Sequence, residues 1–348
     1  MITLRFDGQV AVVTGAGRGM GRCHALLLAS RGAKVVVADF GVELDGSGSS
    51  QEPARDVVRD IQAAGGEGVA CFASVATEEG ASSIVESALD AFGRIDVLIN
   101  NAGISNPELF EDQTAEQFRT MVDVQYLGTV YVTKAAWPHF MKARNGRIVN
   151  TVSEGPLGIH EKMTSYGGAK GGVIGFTLAL AAEGRKYGVS VNGFSPRIAT
   201  RLSAPEVLAK VYDRPKEHFV ENMKRFPPEL ASPAAVYLAH ESCPLNGVIL
   251  VSGGGQVFRM AIMQNQGATN DEISPEFIAD NINQIVDMSG ARNIGVGVGG
   301  EQTSPVAGFT ESRTRPEAAS FSCPPIRFLH RTISGIPTSS GLWQRRHG

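Results

Sequence analysis

Seven short runs rich in Val and Ile punctuate the chain, at 10–14, 34–39, 69–73, 97–100, 147–153, 189–195 and 248–251. Their length and β-branched content predict strands. Between them lie longer stretches with apolar residues at helical spacing, at 20–30, 53–64, 78–92, 115–142, 165–186 and 232–240. Alternation of this kind predicts parallel strands, because each parallel strand needs a crossover to return to the same edge. Several runs are apolar throughout, as in Val10-Ala11-Val12-Val13. Such strands are buried on both faces, so helices must cover the sheet on either side. The expected fold class is α/β: a doubly wound seven-stranded parallel sheet in a single domain over residues 1–260.

The pattern decays beyond residue 260. Residues 261–300 are expected to form a C-terminal extension with one amphipathic helix at 274–287, followed by a glycine-rich stretch at 290–300. In 301–348 Ser, Thr, Gly and Pro make up 21 of 48 residues, and no periodicity survives. That composition buries too little apolar surface to offset chain entropy, so a disordered tail is expected there.

Composition narrows the function. At 43% hydrophobic, 19% charged and net charge −3, the 348 residues belong to a globular protein rather than a fibrous or disordered one. The slight negative balance offers no clustered cationic face, which argues against nucleic acid as a partner. No run of about 18 apolar residues occurs, so no membrane association is expected. Cys23, Cys71, Cys243 and Cys323 are far apart and form no CxxC pair, consistent with reduced thiols and a cytoplasmic location. His24 has no second ligand at metal spacing, and no metal is expected.

Glycine is enriched, at 41 residues. The most informative cluster is Thr14-Gly15-Ala16-Gly17-Arg18-Gly19-Met20-Gly21, which ends the first strand and opens the first helix. Gly15, Gly17, Gly19 and Gly21 let the backbone turn sharply and approach a pyrophosphate, while the helix start at Arg18 and Met20 offers free N–H donors. A dinucleotide site in a Rossmann fold is expected. Asp39 ends the second strand 18 residues past Gly21, near the spacing at which a carboxylate accepts from the adenosine ribose. It would repel a 2′-phosphate, which makes NAD the expected cofactor over NADP. Arg18 is the competing signal, since it could pair with that phosphate or stack on adenine.

Tyr166 and Lys170 stand four residues apart, on one face of the fifth predicted helix. Ser153, the last residue of the fifth strand, lies 13 positions before Tyr166. A phenol beside an ammonium and a hydroxyl suits hydride exchange at a secondary alcohol, because a proton must leave the hydroxyl as hydride leaves carbon. Lys170 would lower the phenol pKa, Ser153 would hold the substrate oxygen and Tyr166 would exchange the proton. A second pair at this spacing, Tyr212 and Lys216, is a decoy: Pro215 cannot sit inside the helix that would align them. Glu154 reads as a solvated loop carboxylate.

With the turn, Asn100-Asn101-Ala102-Gly103, Ser153, Tyr166 with Lys170, and Asn192 to Pro196, the chain resembles the short-chain dehydrogenase/reductase family over residues 6–260. The resemblance implies that Asn100, Asn101, Ala102 and Gly103 lie at the cofactor cleft. It also implies that Lys170 grips the nicotinamide ribose, that Ser74 and Val75 meet adenine, and that Pro196, Ile198 and Thr200 lie near the nicotinamide. The 42–52 insert, the run 88–96 and His240-Glu241-Ser242-Cys243 are similar to the hydroxyacyl-CoA dehydrogenase part of peroxisomal multifunctional enzymes of type 2 and their bacterial relatives. That likeness implies a homotetramer or homodimer acting on a small-molecule substrate, with 3-hydroxyacyl-CoA or a hydroxysteroid favoured. Alternatives are an NADPH-dependent 3-oxoacyl thioester reductase, a terpene-alcohol dehydrogenase with tightly held NAD, and a dinucleotide-sensing protein. Three positions depart from the family pattern: Gln125 stands where a fourth catalytic asparagine is usual, Ser74 replaces an aspartate, and Arg197 replaces a glycine.

Overall fold

A computed structural model describes residues 3–295, all within one compact unit. The expected tail at 301–348 lies outside the described residues. Strands β1 (Val10–Thr14), β2 (Lys34–Ala38), β3 (Glu67–Cys71), β4 (Val97–Asn100), β5 (Gly146–Thr151), β6 (Val189–Pro196), β7 (Ile249–Gly253) and β8 (Gln256–Met260) form one sheet in the order β3-β2-β1-β4-β5-β6-β7-β8. The first seven are parallel, as expected from the crossovers.

Strand β8 corrects the seven-strand count. It returns antiparallel to β7, with Gly253 opposite Gln256. The two residues between them, Gly254 and Gly255, have φ of +57° and +79°. Positive φ at both central positions belongs to the tight hairpin turn whose twist matches the sheet, which is why glycine fills both. The signal was present in the sequence, but the expectation stopped the last strand at residue 251.

Helices α1 (Gly19–Ser30), α2 (Glu52–Ala63) and α3 (Glu78–Phe92) follow β1, β2 and β3. After β4 come α4 (Ala115–Val122) and α5 (Gly128–Ala143), joined through a π-helical turn at Asp123–Leu127. The single helix expected at 115–142 is therefore interrupted. α6 (Thr164–Gly184) follows β5; α7 (Pro205–Tyr212), α8 (Glu217–Met223) and α9 (Ser232–Ala239) lie between β6 and β7. Neither α7 nor α8 was anticipated.

Alternate strand residues feed two cores. Ala11 and Val13 pack with Ala25 and Leu28 of α1, Val57 of α2 and Leu238 of α9 on one face. Val10 and Val12 pack with Ile84 of α3, Phe140 of α5 and Ala181 of α6 on the other. Side chains alternate across a strand, so a strand sandwiched between two helical layers is apolar at every position. The order reverses at β1, flanked by β2 and β4. Ligands of doubly wound sheets bind beside such a switch, beyond the carboxyl ends of the strands.

After β8 the chain forms β9 (Met263–Gln264), α10 (Pro275–Asp280), α11 (Ile282–Val286) and β10 (Arg292–Asn293), with β9 and β10 paired antiparallel. The one helix expected at 274–287 is thus two short ones. They meet at Asn281, whose backbone leaves the helical region at φ −109° and ψ 10°.

Candidate active site

A cavity of about 530 Å³ opens over the carboxyl ends of β1, β2, β4, β5 and β6. Thr14 anchors its floor: its hydroxyl accepts from the amides of Asn101 and Ala102 at 2.9 and 3.0 Å. Asn101 in turn donates through its amide side chain to the carbonyls of Thr14 and Gly15. Two loops from strands separated by nearly ninety residues are thereby stitched together. Gly15, at φ +62°, packs so closely that a Cβ there would sit 2.7 Å from the Cα of Ala102. A side chain at Gly17 would come within 2.9 Å of the Asp39 carboxylate.

Helix α1 begins at this turn with Arg18 in the N-cap position, and no side chain caps it. Its first N–H groups and positive dipole end are thus offered to an anion. Asp39 accepts from the amides of Gly17 and Gly41, each at 2.7 Å. Both donors are neutral, so the carboxylate charge is oriented and not cancelled.

Of the residues expected to hold a dinucleotide, Gly15, Arg18, Gly19, Met20, Asp39, Ser74, Val75, Asn101, Ala102, Gly103, Pro196, Ile198 and Thr200 line the cavity. Gly17 and Gly21 shape the turn beneath it. Asn100 is a correction: it is buried and spans the sheet, donating to Thr133 and to Asn150, each at 2.9 Å.

Ser153, Tyr166 and Lys170 converge on the same cavity. Ser153 lies just beyond β5, and its Oγ accepts from the Gly155 amide at 3.0 Å. Tyr166 and Lys170 sit one turn apart on α6. Gly155 leaves room for the phenol, since a Cβ there would press the ring at 3.2 Å. The Lys170 ammonium is buried, donates to the Thr151 carbonyl at 2.6 Å and lies 6.0 Å from the centre of the Tyr166 ring.

The electrostatics differ from the expectation. Burial pushes Lys170 down to about 7. Burial also raises the Tyr166 phenol, with the hydrogen bond to Ser153 working against it. Among the protein's own groups desolvation therefore dominates both residues, and the phenol is an acid that keeps its proton at neutral pH.

Gln125 lies in the π turn, 1% exposed. Its amide donates to the Ile104 carbonyl at 2.7 Å, while Oε1 is buried without a partner among the described residues. Gly103 fits against it, because a Cβ there would meet that oxygen at 2.9 Å.

Several features escaped the sequence. Glu154 is not simply solvated: Arg197 grips it through Nε and Nη2, both at 2.7 Å. The charge that replaces the family's glycine is thus directed at the carboxylate beside Ser153. Tyr212 is no partner of Lys216, since α7 ends there and Asp213 turns left-handed at φ 51°. It lines the cavity nonetheless, together with His160, Met163 and Val207. Nothing in the spacing of these residues signalled it. His24 is fully buried against Ser232 of α9, and burial pushes it down to about 3. Among the described residues no cluster of His, Cys, Asp and Glu could hold a metal, and no helix is long and apolar enough to cross a membrane.

Residues 9–207 match the family model of short chain dehydrogenases. A short-chain type dehydrogenase/reductase of Mycobacterium tuberculosis is 39% identical over 292 residues, covering 82% of this chain and 97% of its own. The peroxisomal multifunctional enzyme type 2 of Drosophila melanogaster is 37% identical over 300 residues, or 84% of this chain. The match spans only 47% of that longer protein. Carveol dehydrogenase from Mycobacterium avium, solved in complex with NAD, superposes with a TM-score of 0.66 at 26% identity, covering 72% of this chain and 97% of its own. The chain belongs to the short-chain dehydrogenase/reductase family and is an oxidoreductase that uses a nicotinamide dinucleotide.

Proposed function

We propose that the protein interconverts a secondary alcohol and a ketone with NAD, with a 3-hydroxyacyl-CoA or a hydroxysteroid as the favoured substrate. The observation that carries this reading is the convergence of Ser153, Tyr166 and Lys170 on the one cavity that the glycine turn also enters. The residues present fit the dinucleotide: the α1 amides are uncapped and free to meet an anion, and a cradle at Gly15 and Gly17 admits no side chain. When bound, the dinucleotide supplies the hydride acceptor or donor. Gly19 and Met20 would meet its phosphates, Asp39 its adenosine ribose, and Ile198 and Thr200 its nicotinamide end.

Ser153 and Tyr166 would hold the substrate oxygen between two hydroxyls. Tyr166 would give its proton to a ketone being reduced, or take one from an alcohol being oxidised. With a protonated Lys170 beside it, the phenolate needed for oxidation gains a compensating charge. Gln125 would brace this end of the cavity through Ile104.

The oriented Asp39 carboxylate supports NAD over NADP. The two guanidinium groups nearest that end, Arg18 and Arg201, both donate to the Val42 carbonyl, at 3.4 and 2.9 Å. Turnover of 3-oxoacyl-CoA and ketosteroid panels, followed by nicotinamide absorbance, should favour NADH over NADPH by at least about tenfold. Preference for NADPH would make the protein an NADPH-dependent 3-oxoacyl thioester reductase instead. Tyr166→Phe should lose at least about a hundredfold in turnover while NAD binding persists. Unchanged turnover would remove Tyr166 as the acid and base.

A further inference from the structure

Along α7 and residues 160–163, the cavity wall is apolar apart from one pair. Met163, Val207, Leu208 and Val211 line it. Among them, Tyr212 Oη and His160 Nε2 lie 3.1 Å apart, their rings 4.8 Å between centres. We propose that His160 and Tyr212 form a second anchor for the substrate, binding a hydrogen-bond acceptor set apart from the reacting carbinol. The enzyme would then prefer alcohols that carry a second carbonyl. This rests on the reading that Ser153 and Tyr166 hold the reacting oxygen.

Proton counting supports a donor here. If the Tyr212 hydroxyl donates to Nε2, the imidazole carries its proton on Nδ1 and that N–H is uncommitted. If Nε2–H donates to Oη, the phenol O–H is uncommitted. Either tautomer leaves one free donor, and neither side chain has another hydrogen-bond partner among the described residues. Tyr212 is 41% exposed in the free protein, so the donor discriminates once a substrate covers it: a ligand without an acceptor then leaves it desolvated and unpaired.

The corner that carries the pair is locked. Lys162, two residues beyond His160, donates to the Lys210 carbonyl at 2.8 Å and pairs with Asp213. Its ammonium thereby sits at the carboxyl end of α7, where the helix dipole favours a cation. Lys210 pairs with Glu108 at 3.0 Å, and the Glu108 amide donates to the Lys162 carbonyl at 3.1 Å. Among the described residues only three that are not glycine have positive φ, and Lys162 and Asp213 are two of them. Backbone held in that region persists where its surroundings over-determine it, commonly at a binding site.

The test compares methyl 3-hydroxyoctanoate with decan-5-ol, a chain of matching shape lacking the ester. Calorimetry on the enzyme with NADH bound reads the affinity of each alcohol without requiring turnover. Because either residue alone can still donate, the double exchange His160→Ala with Tyr212→Phe should weaken the ester alcohol at least about tenfold and decan-5-ol less than about twofold. NADH affinity and melting temperature serve as controls for folding. The double exchange His160→Phe with Tyr212→Phe removes both donors and keeps two rings, so it decides the matter should the alanine variant fail to fold. Equal losses for both alcohols, or none for either, overturn the second anchor and leave the oxidoreductase reading intact. Selective loss without turnover of either alcohol supports the anchor and instead counts against the proposed chemistry at Ser153 and Tyr166.

Discussion

Lys170 concentrates the electrostatic tension of the site in one side chain. Four residues of spacing were enough to pair it with Tyr166, because helical periodicity is a local property. Its burial was not readable, since the carbonyl it meets, Thr151, belongs to another element. The consequence is measurable. Burial takes Lys170 from 10.5 to about 7, so between those values the unfolded chain holds a proton that the folded chain lacks. Stability must therefore rise with pH across that interval. Without added dinucleotide, denaturant unfolding should show a gain of about 1–2 kcal/mol from pH 7 to 8.5, and Lys170→Met should flatten it. An equal slope in the variant would assign the effect elsewhere. The range stops there because Cys23, pushed up to about 11, works in the opposite direction at higher pH. Gln125 teaches the same lesson. Its departure from the family's asparagine was plain in the sequence, but its reach to the Ile104 carbonyl depends on the π turn.

Elements with strong local signals matched their expectations best. The glycine turn followed by α1 is one, since glycine takes the backbone at Gly15 and Gly19, with φ of +62° and +52°, without strain, and a Cβ at Gly15 would sit 2.7 Å from the Cα of Ala102. α7 and α8 were missed because they are short and lie between residues 201 and 226, where periodicity over seven or eight residues is weak. The loop after β5 and the end of β6 are joined by Glu154 and Arg197, 43 residues apart, and such a pair has no sequence signature. We expect this pair to set the position of Ser153 while adding little stability. Both side chains are partly exposed, which limits the pair to about 1 kcal/mol. Glu154→Ala or Arg197→Gly should lower kcat roughly threefold to tenfold with NAD affinity unchanged. The double exchange Glu154→Arg with Arg197→Glu should recover most of it. A loss confined to melting temperature would reduce the pair to a structural contact.

The whole molecule couples its cofactor site to its stability, because the cavity is assembled from five strand ends and the loops beyond them. A dinucleotide that binds only the folded chain adds about 2.7 kcal/mol at a hundred times its Kd. Thermal unfolding followed by fluorescence should therefore move up by several degrees with NAD and by less with NADP at equal concentration. A larger shift with NADP would count against Asp39 as the selecting charge. At this scale the division between sequence and structure has a physical basis. Alternating strand and helix, the turn that needs glycine, the acidic strand end and the phenol–ammonium spacing are set by neighbours along the chain, and the sequence alone determined them. Only the tertiary structure decided the wall that brings His160 to Tyr212, the grip of Arg197 on Glu154 and the depressed pKa of Lys170. Each of these depends on which distant segments the crossovers bring together and on how much water they exclude, and no local pattern carries that information.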